Sequence, residues 1–259
     1  MNELVRLERD GPVARLELNR PEKLNAFTLA MWRRFGERMA EVTADESLRC
    51  LLIGGGESAA FGAGADIAEF LEVRSNAEQA EAYAETIEPG LHALADLPFP
   101  SVAAIRGACM GGGLELALLC DIRIAAEDAR FGIPINRIGH CLPYAGLRPL
   151  VALVGQATAA EILLEGRIFG AEEALAKGLI TRVVPASGLE EEAAATARRI
   201  AAGAPLAARW HKRFIRRAAD PRPLDAEELR EPYLSCDSAD YREGIRAFLA
   251  KEKPSFAGR

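Results

Sequence analysis

The sequence predicts a layered α/β fold with a helical region at its C-terminal end, and two observations carry that expectation. Short apolar runs of strand length alternate with segments of helical period through roughly the first 145 residues. Beyond that point helical patterns follow one another with a single strand among them. At 259 residues, 49% hydrophobic and 27% charged, the chain has the composition of an ordinary globular protein with enough length to bury a core.

Taken in order, Glu3 to Glu8 and Val13 to Asn19 alternate around Asp10-Gly11-Pro12 and read as a β-hairpin. From Thr28 to Val42, the residues Leu29, Trp32, Phe35, Met39 and Val42 recur at helical spacing. Leu48 to Ile53 is a short apolar run ahead of three glycines, suited to a buried strand. Pro100 to Arg106 is another, and it enters Gly107-Ala108-Cys109-Met110-Gly111-Gly112-Gly113, after which Leu114 to Leu119 reads as helix and Asp121 to Ala125 as strand. The Ala/Glu bias around 77–85 and 190–202 reflects helix propensity. Ala145 to Val154, Ala157 to Leu164, Ala171 to Lys177, Leu189 to Ala202, Pro205 to Ala218 and Tyr241 to Lys251 read as helices, with Ile180 to Val184 the strand among them. A boundary near residues 200–205 divides a core domain, 1–200, from a helical region, 201–259.

Bulk charge narrows the function classes. Lys and Arg number 32 against 38 Asp and Glu, a net −6, which disfavours a nucleic-acid binder and broad attachment to anionic membranes. The five cysteines, Cys50, Cys109, Cys120, Cys141 and Cys236, are odd in number and contain no Cys-x-x-Cys pair, so neither a disulfide framework nor a metal site is expected. The first residues carry charged side chains where a signal peptide would need an apolar run, and no stretch of ~18 apolar residues is expected to follow. A soluble, cytoplasmic protein is the expectation.

Three clusters of small residues stand where chemistry could sit. Gly54-Gly55-Gly56-Glu57-Ser58-Ala59 formally satisfies a Gly-x-Gly-x-x-Ala dinucleotide fingerprint, yet Phe61-Gly62-Ala63-Gly64-Ala65 continues the loop where a Rossmann turn should open into a helix. The second cluster is Ala60 to Ile67 and the third is Met110 to Leu116. In the third, glycines lie at a strand-to-helix junction, where free N–H groups and the helix dipole stabilise an anion. Taken singly, such glycines can equally serve close packing or positive-φ turns. Taken together, two converging N–H donors are what an oxyanion hole requires.

Along nearly its whole length the chain resembles the enoyl-CoA hydratase/isomerase, or crotonase, family. The residues that carry the resemblance are Asn19-Arg20-Pro21 with Asn25-Ala26-Phe27, Phe61 to Ile67, Gly107 to Asp121, Phe131-Gly132-Ile133-Pro134, Ala174 to Val183, and Glu243-Gly244 leading to Ala247-Phe248-Leu249 and Pro254. The resemblance implies a crotonase-like spiral of ββα units with a helical trimerisation region, a homotrimer or a hexamer of two trimers, and an acyl-CoA thioester as ligand with no further cofactor. It places the oxyanion-hole donors at Ala65 and Gly112, with Ala63 and Gly111 beside them. Asp66, Ile67 and Ala68 would follow along the acyl-pantetheine channel. Lys23 and Leu24 would lie near the CoA nucleotide, and Phe248 and Lys251 would reach the adenine end from a neighbouring subunit.

In the family's hydratases two glutamates activate water and protonate C2. The first is present as Glu115, whose pKa burial should raise toward neutrality. Its other reading is a helix N-terminal charge. The position of the second holds Ile135, which can neither give nor take a proton. His140, close by in sequence, has a ring suited to acid–base work, against a second reading as an exposed or capped loop histidine. Structural roles are expected for His92, His211 and Asp121, and solvated ones for Glu85 and Glu88. Arg209, Lys212, Arg213, Arg216 and Arg217 form a charged face opposite Leu206, Trp210 and Phe214, read as solvated or subunit-facing. The reading that follows is an acyl-CoA enzyme, an enoyl-CoA hydratase, with three rivals. These are isomerisation, decarboxylation or hydrolysis of another acyl-CoA, a non-catalytic acyl-CoA-binding protein, and a nicotinamide-dependent oxidoreductase using Gly54 to Ala59.

Overall fold

The structure, a computed structural model, describes residues 3–259. Strands β1 (Val5–Asp10) and β2 (Val13–Leu18) form the expected hairpin, turning at Gly11, whose φ of 56° suits a residue without a Cβ. Helix α1 (Leu29–Ala44) starts where the Thr28 side chain accepts the Met31 N–H, and it buries Met31, Trp32, Phe35, Met39 and Val42. Strand β3 (Cys50–Gly54) follows, then α2 (Phe70–Val73) and α3 (Ala77–Ala95), the latter capped by Asn76. Next come β4 (Ser101–Ile105), β5 (Ala108–Met110), α4 (Gly112–Leu118), β6 (Ile122–Ala126), β7 (Arg130–Gly132) and α5 (Tyr144–Glu165). The chain ends with β8 (Phe169–Gly170), α6 (Ala171–Ala176), β9 (Arg182–Val184), α7 (Leu189–Ala202), α8 (Pro205–Ala218), α9 (Ala226–Arg230) and α10 (Ala239–Ala250).

The main sheet has the order β1-β2-β3-β4-β6-β9 and is parallel from β2 onward, while β5-β7-β8 form a small second sheet. Both β4 and β6 pass directly into a strand of the small sheet and then into a helix, so the chain advances as ββα units. Alternate residues of the main strands face two different cores. One face packs Leu16, Leu51, Ile53, Ala103 and Ile105 against α1 and its neighbours. The other packs Val13, Cys50, Leu52, Val102, Ala104 and Ile124 beneath Leu189, Ala193, Ala197 and Ala201 of α7. Burial on both faces is the reason these strands read as unbroken apolar runs.

Two expectations need correction. Lys212 is not on a solvated face: it is 7% exposed, its Nζ lies 2.7 Å from Asp121 Oδ2 and donates to the Phe99 carbonyl at 2.9 Å, while Trp210 and Phe214 are only half-buried. Asp121 Oδ2 also accepts from the Ser101 N–H and hydroxyl, so α8 is pinned to the edge of β4 by a polar contact that an amphipathic pattern does not reveal. The second correction is α5, long and apolar enough by length and composition to cross a membrane even though it carries Arg148 and Glu161. It is broken at Gly155, at φ 74° and ψ 168°, into the two expected helices. Each piece is about 15 Å long, half the ~30 Å of a bilayer core.

The Asp121–Lys212 pair gives an asymmetric expectation. Asp121→Ala leaves a buried ammonium without its counterion and should cost about 3–5 kcal/mol of unfolding free energy. Lys212→Met leaves the Asp121 carboxylate with its Ser101 donors and should cost about 0.5–1.5 kcal/mol. Urea unfolding of the two variants beside the parent chain measures both.

Candidate active site

Two loops meet backbone to backbone. The Gly62 N–H donates to the Ala108 carbonyl and the Met110 N–H donates to the Gly62 carbonyl, each at 2.9 Å. A Cβ on Gly113 would stand 2.5 Å from the Gly62 oxygen, and one on Gly107 would stand 2.0 Å from the Ala59 oxygen. Gly111, at φ 43° and ψ −119°, turns the second loop into the first residue of α4.

These contacts leave two donors free. Phe27 donates to the Gly64 carbonyl and accepts from Asp66, both at 2.8 Å, which bridges the strands on either side of Ala65 without using its N–H. Gly112 opens α4, where first-turn N–H groups have no carbonyl four residues back. Among the described residues neither N–H has an acceptor in the protein, and both residues line one cavity of about 480 Å³. Buried polar contacts hold the first loop from behind. The Asn25 amide donates to the carbonyls of Gly55, Ala60 and Phe61, and the Arg20 guanidinium lies 2.7 Å from Asp66 Oδ2. Arg20 holds the Asp66 carboxyl below its usual range, and Asp66 also caps Ala68, so both residues brace the loop.

Glu115, in the first turn of α4, lines the cavity, and burial pushes its carboxyl from the usual 4.5 up to about 7, opposed only by the charge of Arg74. Gly146 of α5 makes room for it, because a Cβ there would come 2.8 Å from Glu115 Oε2. Ile135 lies in the 3-10 turn Pro134–Ile138 and supplies a hydrocarbon wall. The His140 N–H donates to the Ile135 carbonyl at 3.1 Å, which brings that imidazole to the same wall. Its Nε2 accepts from the Arg74 guanidinium, so the ring proton belongs on Nδ1; burial, and secondarily Arg74, hold its pKa below the usual value.

Of the other residues singled out in the sequence, Ala63, Gly111 and Ile67 line the cavity, while Lys23, Leu24 and Ala68 are exposed beyond its lining. Phe248 is 83% exposed on α10 and Lys251 ends that helix in the left-handed conformation; neither lines this chain's own cavity. Glu85, Glu88 and His92 lie outside it as well, as does the exposed His211. No helix opens after Gly54, since residues 55–66 run as turns and loop before a 3-10 turn at Ile67, so the geometry of a dinucleotide fingerprint is missing. Among the described residues no three His, Cys, Asp or Glu side chains gather as a metal-ligand set. Sequence reasoning missed Trp32, Phe70, Arg74, Glu81 and Tyr83 as cavity wall. The one available signal was the four-residue spacing of Phe70 and Arg74, a single helical turn.

The raised Glu115 pKa sets a pH dependence. Between about pH 4.5 and 7 the folded chain keeps a proton that an unfolded glutamate releases, so this contribution to stability is full below the unfolded value and is lost as pH rises through about 7. Glu115→Gln removes the titration. Across that window the stability of the variant relative to the parent should rise by about 3 kcal/mol, read from urea unfolding at a series of pH values.

Comparison with known proteins agrees with this geometry. Residues 8–259 match the family described as enoyl-CoA hydratase/isomerase. A probable enoyl-CoA hydratase of Mycobacterium bovis is 35% identical over 259 residues, covering 99% of each chain. A short-chain-enoyl-CoA hydratase of Clostridium acetobutylicum is 33% identical over 252 residues, 96% of this chain and 95% of the relative. Among solved structures, one described as an enoyl-CoA hydratase/carnithine racemase from Magnetospirillum magneticum superposes with a TM-score of 0.96 at 47% identity, covering 100% of this chain and 97% of that one. The enoyl-CoA hydratase of Bacillus anthracis gives 0.90 at 31% identity, with 99% and 100% covered. The expected crotonase-like fold is therefore the fold of this protein, and the chain belongs to the enoyl-CoA hydratase/isomerase family.

Proposed function

We propose that this family member stabilises the enolate of an acyl-CoA thioester and that its reaction is the addition of water to a 2-enoyl-CoA. One observation carries the reading: two N–H groups without acceptors among the described residues, at Ala65 and Gly112, line the same largely apolar cavity as a carboxyl whose pKa is raised to about 7. The thioester oxygen would accept from both donors. As the water oxygen bonds to C3, the C2–C3 π pair moves toward C1 and the carbonyl pair moves onto the thioester oxygen, where the two N–H dipoles offset the charge that develops. Water loses one proton and C2 gains one. A single carboxyl with a pKa near the working pH can take the first and deliver the second, which is the part we assign to Glu115.

Ile135 favours a second reading, in which the same donors and Glu115 serve isomerisation, decarboxylation or hydrolysis of another acyl-CoA, or in which the cavity binds acyl-CoA without turnover. On the CoA side, Lys23 and Lys251 are the cations we assign to the nucleotide phosphates, which need only local positive charge on a chain of net −6. Tyr241, Ile245, Phe248 and Leu249 leave an apolar surface on α10. That surface supports association into a homotrimer or a dimer of trimers, with Phe248 and Lys251 serving a neighbouring subunit's site.

Crotonyl-CoA should lose the absorbance of its conjugated thioester when mixed with the protein, and Glu115→Gln should slow that loss by about 10²–10⁴-fold. Product formed only from a malonyl-type or β-keto thioester would favour the second reading. Light scattering should give the mass of a trimer or hexamer, and Phe248→Asp should shift it toward the monomer.

A further inference from the structure

One charge in the cavity has no part in the chemistry proposed above. Arg74 follows directly on α2 and lines the cavity, with its guanidinium 5.0 Å from the ring centroid of Phe70 and 5.1 Å from that of Tyr83. One terminal nitrogen donates to His140 Nε2. Among the described residues no carboxylate forms an ion pair with it, although elsewhere the chain pairs its arginines freely: Arg167 meets Glu161, Glu165 and Glu173. The nearby lining is hydrocarbon, including Ala77, Ala80, Ile135 and Ile138. Two carboxyls share the lining. Glu81 is on an exposed residue of α3, and burial raises Glu115 to about 7, so that it carries only part of its charge near pH 7.

A guanidinium half withdrawn from water and facing rings and a neutral imidazole is only partly compensated, and its remaining N–H donors have the planar fork that matches a carboxylate. Stacking on Phe70 and Tyr83 holds that plane in position before any ligand arrives. We propose that Arg74 is a specificity-determining residue that receives a carboxylate on the acyl chain, so that the preferred ligands are CoA half-thioesters of dicarboxylic acids. An uncharged acyl chain leaves the guanidinium unpaired, and an acyl group bearing a quaternary ammonium meets like charge. His140 acts as a positioning residue, fixing one nitrogen of the fork and leaving the others to the ligand. This inference rests on the acyl-CoA reading and adds the acyl class to it.

Binding tests it without requiring turnover. Glutaryl-CoA and pentanoyl-CoA have the same five-carbon acyl length and differ in the terminal carboxylate. Titration calorimetry on the full chain should give glutaryl-CoA the tighter binding by about tenfold to a hundredfold, the gain expected of a charge-assisted hydrogen-bonded pair. Arg74→Met should erase that preference while leaving pentanoyl-CoA binding within about twofold, and Arg74→Lys should retain part of it. Equal affinities in the parent chain, or a preference that survives Arg74→Met, would overturn this inference and leave the acyl-CoA reading intact. Binding of neither thioester would overturn both.

Discussion

Everything in the cavity depends on a place where two backbones touch with no side chain between them. Gly62 exchanges hydrogen bonds with Ala108 and Met110, and the neighbouring Gly113 and Gly107 lie so close to carbonyl oxygens that a single methyl at either would overlap them. This contact lets the loop after β3 and the loop after β5 deliver an N–H each to one cavity, as a strand bridge consumes the donors around Ala65 and a helix start strands the donor of Gly112. Asn25, with three carbonyls on its amide, and the Arg20–Asp66 pair hold the first loop against the second. The hole proposed for a developing anion would be useful only if it need not reorganise when the charge appears, and these contacts would supply that rigidity.

Burial in the cavity acts in opposite directions on two of its titratable groups and favours the uncharged form of each. The Glu115 carboxyl rises because its charged form is the anion, and the His140 imidazole falls because its charged form is the cation. Arg74 supplies a cation on the same wall, its guanidinium stacked over Phe70 and Tyr83 and donating to His140 Nε2. The exposed ion-pair cluster around Arg167 is larger in number but contributes little of comparable consequence, because water screens it.

Legibility in the sequence followed the balance between local and long-range causes. The strand β2, α1, β3, β4 and α7 are readable because their apolar spacing answers to the faces they bury. The strands β5, β7 and β8 are not, since two or three residues carry no period and their conformation is set by partners distant in the chain. The inward turn of Lys212 was hidden for a similar reason: a lysine counts as surface until Asp121 and the Phe99 carbonyl are brought to it. In the cavity, Ala65, Gly112 and Glu115 stood out through glycine-rich motifs. Arg74 and Tyr83 did not, because a short helix and an Ala/Glu-rich one resemble solvated surface until the turn between α2 and α3 folds them over the loops.

The cavity is therefore assembled from two kinds of material with different tolerance to change. One wall is backbone, locked at atomic contact and fixed in composition by the absence of side chains. The other, from Ile67 to Ile87 and from Pro134 to Pro143, is made of side chains on helices and turns that contribute no strand to either sheet. Variation confined to the second wall can alter the shape and charge presented to an acyl chain without moving the two N–H donors. On the proposed reading, such a division would separate what an enzyme does from what it accepts, and would let ligand preference drift or be engineered at cavity positions such as Arg74, Ile135 and His140 while the proposed reactive centre keeps its geometry.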